Sequence, residues 1–422
     1  MPIDAGVRDC ISARLIVNIR YSGGTLKELI LHVGFHKTAT SSFQATCVKN
    51  RELLADQGIY YPSFSLGNKT INNHSAPIAS LFSEHPSSLR VNVIQGHEGE
   101  VNQVREQFEK ILGSQRNTLI SGEGISMLSG NALGKLKEQI EAQGFTIRVL
   151  CSVRKPYAFT CSSFQQLVKG GILSSFVEEK VPTKSKRVQV LKRIFDHVEF
   201  FSFESDCAFQ GGPVAAMLDR INVELDEVEY VNTNEGMGNI TTRLYASINA
   251  KYPIVKKEKL SQRGRHRGKI DFDNDKFLLT RTEIEALREE LDEENRSMRE
   301  ALGNDFTDRE YRASSGFRID KELAVKIMKQ ACRPAYVADA VIKFLVEHND
   351  GTWAASDLFE PLLEKTEISE VTVDYLRDQA ILNEGENLQL AHDLMLLAFD
   401  RRPEGLTIRT KLAKYRQQLD PR

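Results

Sequence analysis

Residues 29–44, LILHVGFHKTATSSFQ, decide how the chain is read. Ile30, Leu31 and Val33 form a short apolar run that Gly34 closes, the pattern of a buried strand. Lys37 follows, and then Thr38, Ala39, Thr40, Ser41 and Ser42, small residues at the start of a helix expected over 41–56. The first N–H groups of a helix have no partner within it. A strand that turns directly into a helix therefore offers an anion free amides and the positive end of the helix dipole. The same hydroxyls also suit a plain helix cap, in which they bond those N–H groups themselves. The GxxxxGK[ST] spacing of a nucleoside-triphosphatase loop is absent, since only Phe35 and His36 separate Gly34 from Lys37 and no second glycine precedes the lysine.

Apolar strands and helical stretches alternate beyond this point. Strands are expected at 117–121, 145–153 and 198–203, and helices at 76–82, 101–112, 156–166, 184–196, 213–221 and 240–250. Such alternation predicts an α/β fold with a parallel sheet covered on both faces. An amphipathic helix is expected over 281–302, with Ile284, Leu287, Leu291 and Met298 on one stripe. Past Tyr311 strand signals stop, and an all-α C-terminal region begins. There, Ala391, Ala398 and Pro403, spaced seven and five apart, look like the second half of a tetratricopeptide unit, although a plain helical hairpin fits equally. These boundaries divide the 422 residues into an extension, 1–25, a domain, 26–308, and a helical region, 309–422.

Composition narrows the function classes. Fifty-six basic and 58 acidic residues leave a formal charge of −2, which gives no overall pull toward nucleic acid or acidic membrane. The six cysteines lack CxxC or metal-like spacing, so neither a disulfide framework nor a metal site is expected. No apolar run reaches membrane-spanning length, and Asp9, Arg14 and Arg20 interrupt the start of the chain where a signal core would lie. Cytoplasmic placement is the expectation.

Two further strand ends carry chemistry. Glu123 stands between Gly122 and Gly124 at the end of 117–121, exposed to whatever fills the cleft there. It could instead cap the helix starting near Asn131 or pair with Lys37. Arg154 ends the strand 145–153, Pro156 suits the first turn of the next helix, and Ser162 lies eight residues after the arginine. A helix brings that serine back toward the turn, where a guanidinium can grip two oxygens of one phosphate.

The segment HKTATSSFQ, 36–44, followed by Asn50, Leu53 and a GxxYP ending in Tyr61-Pro62, resembles the opening of sulfotransferases that use 3'-phosphoadenosine 5'-phosphosulfate (PAPS), in particular the bacterial type beginning HKTGTTSLQ. It departs at Ala39, where the family prefers glycine. Arg154, Pro156 and Ser162 are similar to the family's 3'-phosphate motif, and Ser121-Gly122-Glu123 stands where related sequences have SSE. The resemblance implies a P-loop-like fold, PAPS as donor without a metal, and transfer to a hydroxyl or amine, with saccharides or lipid-linked glycans as candidate acceptors. It implies that His36, Lys37, Thr38, Ala39, Thr40 and Ser41 hold the 5' end, Lys37 neutralising the leaving oxygen and Glu123 acting as base. His74, which follows an asparagine as in the family, is a second candidate base, although a histidine there also suits a cap or surface position. Arg265, Arg267, Gly268 and Lys269 resemble a late basic loop over the 3'-phosphate, and also read as a solvated loop. A small-molecule kinase and a catalytically idle fold that presents its helical tail to a protein partner are the rival readings.

Overall fold

The structure is a computed structural model describing residues 27–66, 69–84, 98–233, 236–253, 255–256, 259–260, 272–273, 275–331, 337–354, 370–385 and 387–419. Four strands build the sheet: β1 (Lys27–His32), β4 (Thr118–Ser121), β5 (Phe145–Val153) and β6 (Val198–Ser202). Between β1 and β4 lies a small antiparallel pair, β2 (Phe64–Leu66) and β3 (Lys69–Ile71). The main sheet runs β4-β1-β5-β6, parallel throughout.

Alternation along β1 shows why the sheet is covered on both sides. Leu29, Leu31 and Val33 enter one apolar cluster with Ile120, Val149 and Cys151, while Ile30 enters another with Leu119 and Leu150. Both faces of a central parallel strand are then dry, as its continuous apolar sequence demands.

The helices over these faces begin with α1 (Thr40–Lys49) and α2 (Arg51–Asp56), where the sequence predicted one. Asn50 separates them: its side-chain amide donates to the Thr46 carbonyl and to the Glu229 carbonyl, and its oxygen accepts from the Glu229 N–H. Such side-chain bonds compete with the helix's own ladder. Thr46 Oγ1 and Ser42 Oγ accept from the N–H groups of Val231 and Thr233, so residues 42, 46 and 50 form one polar stripe that seats an extended segment on α1. Then come α3 (Ser75–Phe82), α4 (Glu98–Gly113), α5 (Gly130–Glu141), α6 (Pro156–Lys169), α7 (Ser185–Ile194), the short α8 (Phe203–Cys207), α9 (Gly212–Arg220) and α10 (Asn239–Lys251).

The helix expected over 281–302 is two, α11 (Arg281–Ala286) and α12 (Arg288–Leu302), broken at Leu287. The tail contributes α13 (Lys321–Ala331), α14 (Ala338–Glu347), α15 (Glu370–Asn383), α16 (Leu388–Arg401) and α17 (Leu406–Leu419). Ala391 and Ala398 are fully buried in α16, which packs against both α15 and α17. The tail does not keep a core to itself: one apolar cluster joins its helices to Tyr157, Phe164 and Val168 of α6 and to Leu244 and Ile248 of α10. Helix α6, which carries Ser162, is thus held from the tail side.

Candidate functional site

The chain leaves β1 toward β4 on one side and leaves β5 toward β6 on the other, although β1 and β5 are neighbours. In a parallel sheet the connections diverge at such a point and open a crevice beyond the carboxyl ends of the two strands. The turn after β1 and the residues that follow β5 both stand at this point of the sheet.

Bonds from the Val33 and Phe35 N–H groups to the carbonyls of Leu150 and Ser152 carry the pairing past β1, and the turn starts at His36. Lys37 (φ 73) and Ala39 (φ 58) both adopt the left-handed conformation that side chains disfavour. Strain of this kind, at about 1 kcal/mol or more per residue, clusters at functional turns. Thr38 Oγ1 donates to the Phe35 carbonyl at 2.6 Å and locks the turn. No side chain caps α1, so the first-turn N–H groups, expected to be free, have no hydroxyl of their own helix to satisfy them. Thr40 is buried and Ser41 exposed. Beneath the turn, a Cβ on Gly34 would fall 2.9 Å from His32 Nε2 and 3.1 Å from Thr38 Oγ1, so only glycine fits. His32 bonds Ser121 Oγ through Nδ1, its Nε2 is buried without a partner, and burial lowers its pKa to about 3.

Arg154 reaches this turn. Its Nη1 donates to the Lys37 carbonyl at 3.2 Å, its guanidinium lies 5.0 Å from the centre of the Phe203 ring, and Nε is 3.9 Å from Glu204 Oε1. Burial lowers the Arg154 pKa and Glu204 opposes that shift. Ser162 is buried on α6, and its hydroxyl has no bonded partner among the described residues. The Lys37 pKa is lowered, first by burial and then by the like charges of Arg154 and Lys169. Among the described residues the Lys37 ammonium has no ion-pair partner. Lys37 thus feels the like charges of Arg154 and Lys169, while Glu204 stands beside Arg154, an arrangement that favours an incoming anion.

Glu123 opens a short 3-10 turn (Glu123–Met127) after β4. Its carboxylate receives long contacts from Gln44 Nε2 at 3.4 Å and from Asn73 Nδ2 at 3.3 and 3.4 Å. Added Cβ atoms at Gly122 and Gly124 would lie 2.6 and 2.8 Å from Ser75, so the two glycines let the turn press on α3. Glu123 does not cap α5: Ser129 does, accepting from the Ala132 N–H. Nor does it pair with Lys37 among the described residues. Its charge acts on His36, whose pKa is lowered by burial, raised by Glu123 and lowered further by Lys184 and Lys37.

His74 stands at the N-cap of α3, one of the positions expected, although its side chain caps no N–H and is not on the surface. It is fully buried, its Nδ1 accepts from the Ser121 N–H at 2.9 Å, and Nε2 donates to the Pro62 carbonyl at 3.0 Å. Burial lowers its pKa to about 4. With both nitrogens bonded to backbone the ring fastens β4 to the 60s segment and has no lone pair left for an acceptor's proton. It is a structural residue. Arg265, Arg267, Gly268 and Lys269 lie outside the described residues.

Sequence reasoning gave no role to Phe203, Glu204, Lys169, Asn73 or Lys184. Of these, Phe203 and Glu204 had a usable signal, since they follow β6, the strand next to the arginine's own. A cavity of about 660 Å³ lies elsewhere, lined by Arg243, Thr280, Ser314, Phe317, Arg318 and His348 among others, and contains none of the predicted site residues. Among the described residues no helix is long and apolar enough to cross a membrane, and no cluster of His, Cys, Asp or Glu could hold a metal ion. No protein-family model, curated protein or solved structure matches the chain.

Proposed function

We propose that this protein is a sulfotransferase of P-loop-like fold that moves a sulfuryl group from PAPS to an acceptor hydroxyl or amine. The observation that carries the reading is the contact between the two anion motifs: the Arg154 guanidinium touches the Lys37 carbonyl at 3.2 Å across neighbouring strand ends. A ligand with phosphates at both ends of a ribose, the feature that separates PAPS from ATP, would engage both.

In this reading the amides of the first turn of α1, with Thr38, Thr40 and Ser41, hold the 5'-phosphate, and Arg154 with Ser162 holds the 3'-phosphate. Glu123 takes the acceptor proton as the acceptor oxygen bonds to sulfur. The sulfur–oxygen bond to the 5'-phosphate breaks, and Lys37 neutralises the charge that grows on that oxygen. Phosphoryl transfer is the physical template, a loose in-line displacement governed by positioning and electrostatics. The products are a sulfated acceptor, 3'-phosphoadenosine 5'-phosphate (PAP) and a proton. The cytosol, where the donor is made, is the fitting compartment, and a glycan or other small hydroxylated molecule the fitting acceptor.

Ala39 favours a second reading, a catalytically idle fold whose tetratricopeptide-like tail binds a protein. Its methyl occupies a left-handed position where close approach of phosphate favours glycine. Incubation with labelled PAPS and a panel of saccharide and lipid-linked acceptors separates the two. Label transferred by the wild type and lost in Lys37→Ala, with PAP still bound by the variant, supports the enzyme; PAP binding without transfer to any acceptor supports the idle fold. Label transfer from ATP with magnesium would replace both with a kinase.

A further inference from the structure

None of the crevice residues lines the cavity of about 660 Å³, whose volume suits a small molecule. Two stretches of the chain build it. Arg243 of α10 and Thr280, the cap of α11, come from one, and Ser314, Arg318, Glu347 and His348 come from the tail and the segment leading into it. Two of its charged residues are balanced. Arg243 donates through Nη1 and Nη2 to the two oxygens of Glu283 at 2.9 and 3.0 Å, and the Glu347 carboxylate lies 4.0 Å from the Lys343 ammonium, one turn back on α14. Arg318 has no such counterpart: among the described residues its guanidinium makes one long bond, from Nη1 to the Asn349 carbonyl at 3.5 Å.

The hydroxyls tell the same story. Thr280 Oγ1 accepts from the Glu283 N–H at 3.2 Å, and Ser314 Oγ accepts from Asn239 Nδ2 at 3.2 Å and from the Gly316 N–H at 3.4 Å. Among the described residues neither hydroxyl proton has an acceptor. A guanidinium and two O–H groups therefore line one space as donors without acceptors, and such a surplus matches an oxyanion, which accepts only. His348 adds the opposite kind of group. Its Nδ1 donates to the Phe344 carbonyl at 2.8 Å and Phe317 stacks flat on its ring, centres 4.6 Å apart, so in the neutral ring Nε2 is left as an acceptor for a hydroxyl.

We infer that this cavity is a second ligand site, separate from the crevice, for a small hydroxylated molecule that carries a carboxylate or phosphate. The oxyanion takes the Arg318 fork, with the Thr280 and Ser314 hydroxyls as further donors, and a hydroxyl of the same molecule donates to His348 Nε2. A neutral molecule of the same shape leaves Arg318 without a counterion and gains nothing from it. The site is complete only where the tail meets α10 and α11, which gives the tail a part in binding. It stands whether or not the crevice binds PAP.

The test is calorimetric titration of glucose, glucuronate and glucose 6-phosphate into the full chain, as the wild type, Arg318→Met, Arg318→Lys and Arg154→Ala. Arg318 is exposed, so an unchanged melting temperature is expected of both its variants and shows that they are folded. In the wild type at least one of the two anions should bind about tenfold or more tightly than glucose, the worth of one hydrogen bond to a charged group. That preference should be lost in Arg318→Met, partly kept in Arg318→Lys and unchanged in Arg154→Ala, which removes a cation of the crevice instead. No binding of either anion, equal binding of all three sugars, or a preference that survives in Arg318→Met would overturn the inference. So would a preference lost in Arg154→Ala, which would put the anion in the crevice.

Discussion

At the residue scale the chain holds two non-glycine residues, Lys37 and Ala39, in left-handed conformation within one turn. A Cβ in that region costs about 1 to 2 kcal/mol. Ala39→Gly removes the cost at its position while adding backbone freedom to the unfolded chain, an opposing effect of about 0.4 to 1 kcal/mol. The net expectation is a gain in stability of up to about 1 kcal/mol in urea unfolding, together with tighter PAP binding because a methyl leaves the phosphate's approach. Weaker PAP binding by Ala39→Gly would show that the methyl is part of the site and not an obstacle. The need for a tight turn after Gly34 could be read from 29–44 directly. The roles of His32 and His74 could not, because each is defined by what lies across the sheet. Ser121, 89 residues from His32 and 47 from His74, bonds both.

Elements explain why Arg154 and Ser162 stand where they do. Helix α6 starts with Pro156, and the Tyr157 N–H in its first turn donates to Asp308 Oδ2 at 2.8 Å, so a residue 151 positions away caps it. Burial raises the Asp308 pKa to about 6, with Glu204 adding to the shift. A carboxyl whose folded pKa exceeds its unfolded value stabilises the fold below the unfolded pKa, and that contribution is lost as pH rises through about 6. Asp308→Asn keeps an oxygen for the cap and removes the charge. It should raise stability at pH 7.5 by about 1 to 2 kcal/mol and give no gain at pH 4. Chemical unfolding at the two pH values checks this; a variant less stable at pH 7.5 would mean that the charge itself holds α6. Most strands and helices were legible in the sequence because their apolar periods are strong. The breaks at Asn50 and Leu287 were not, and at Asn50 the reason is a bond to Glu229, far along the chain. The adjacency of β1 and β5 was equally hidden, since β4 comes between them in sequence.

Taken whole, the molecule should be sensitive to acid. His32 and His74 are neutral in the fold, with pKa values lowered to about 3 and about 4, while in the unfolded chain both titrate near 6.5. Their contribution is complete above the unfolded value and is lost as pH falls below it toward the folded values. At pH 5 the two together lose roughly 4 kcal/mol, against which Asp308 returns about 1. A melting temperature unchanged between pH 7.5 and 5 would contradict this burial.

The whole-molecule claim is that two anion pockets share one crevice and select a ligand phosphorylated at both ends of its ribose. Calorimetry of PAP and AMP with the wild type and Arg154→Ala tests it most directly. The account predicts that PAP binds the wild type at least tenfold more tightly than AMP does, and that in Arg154→Ala the two bind alike. Equal affinity for PAP and AMP in the wild type would contradict it.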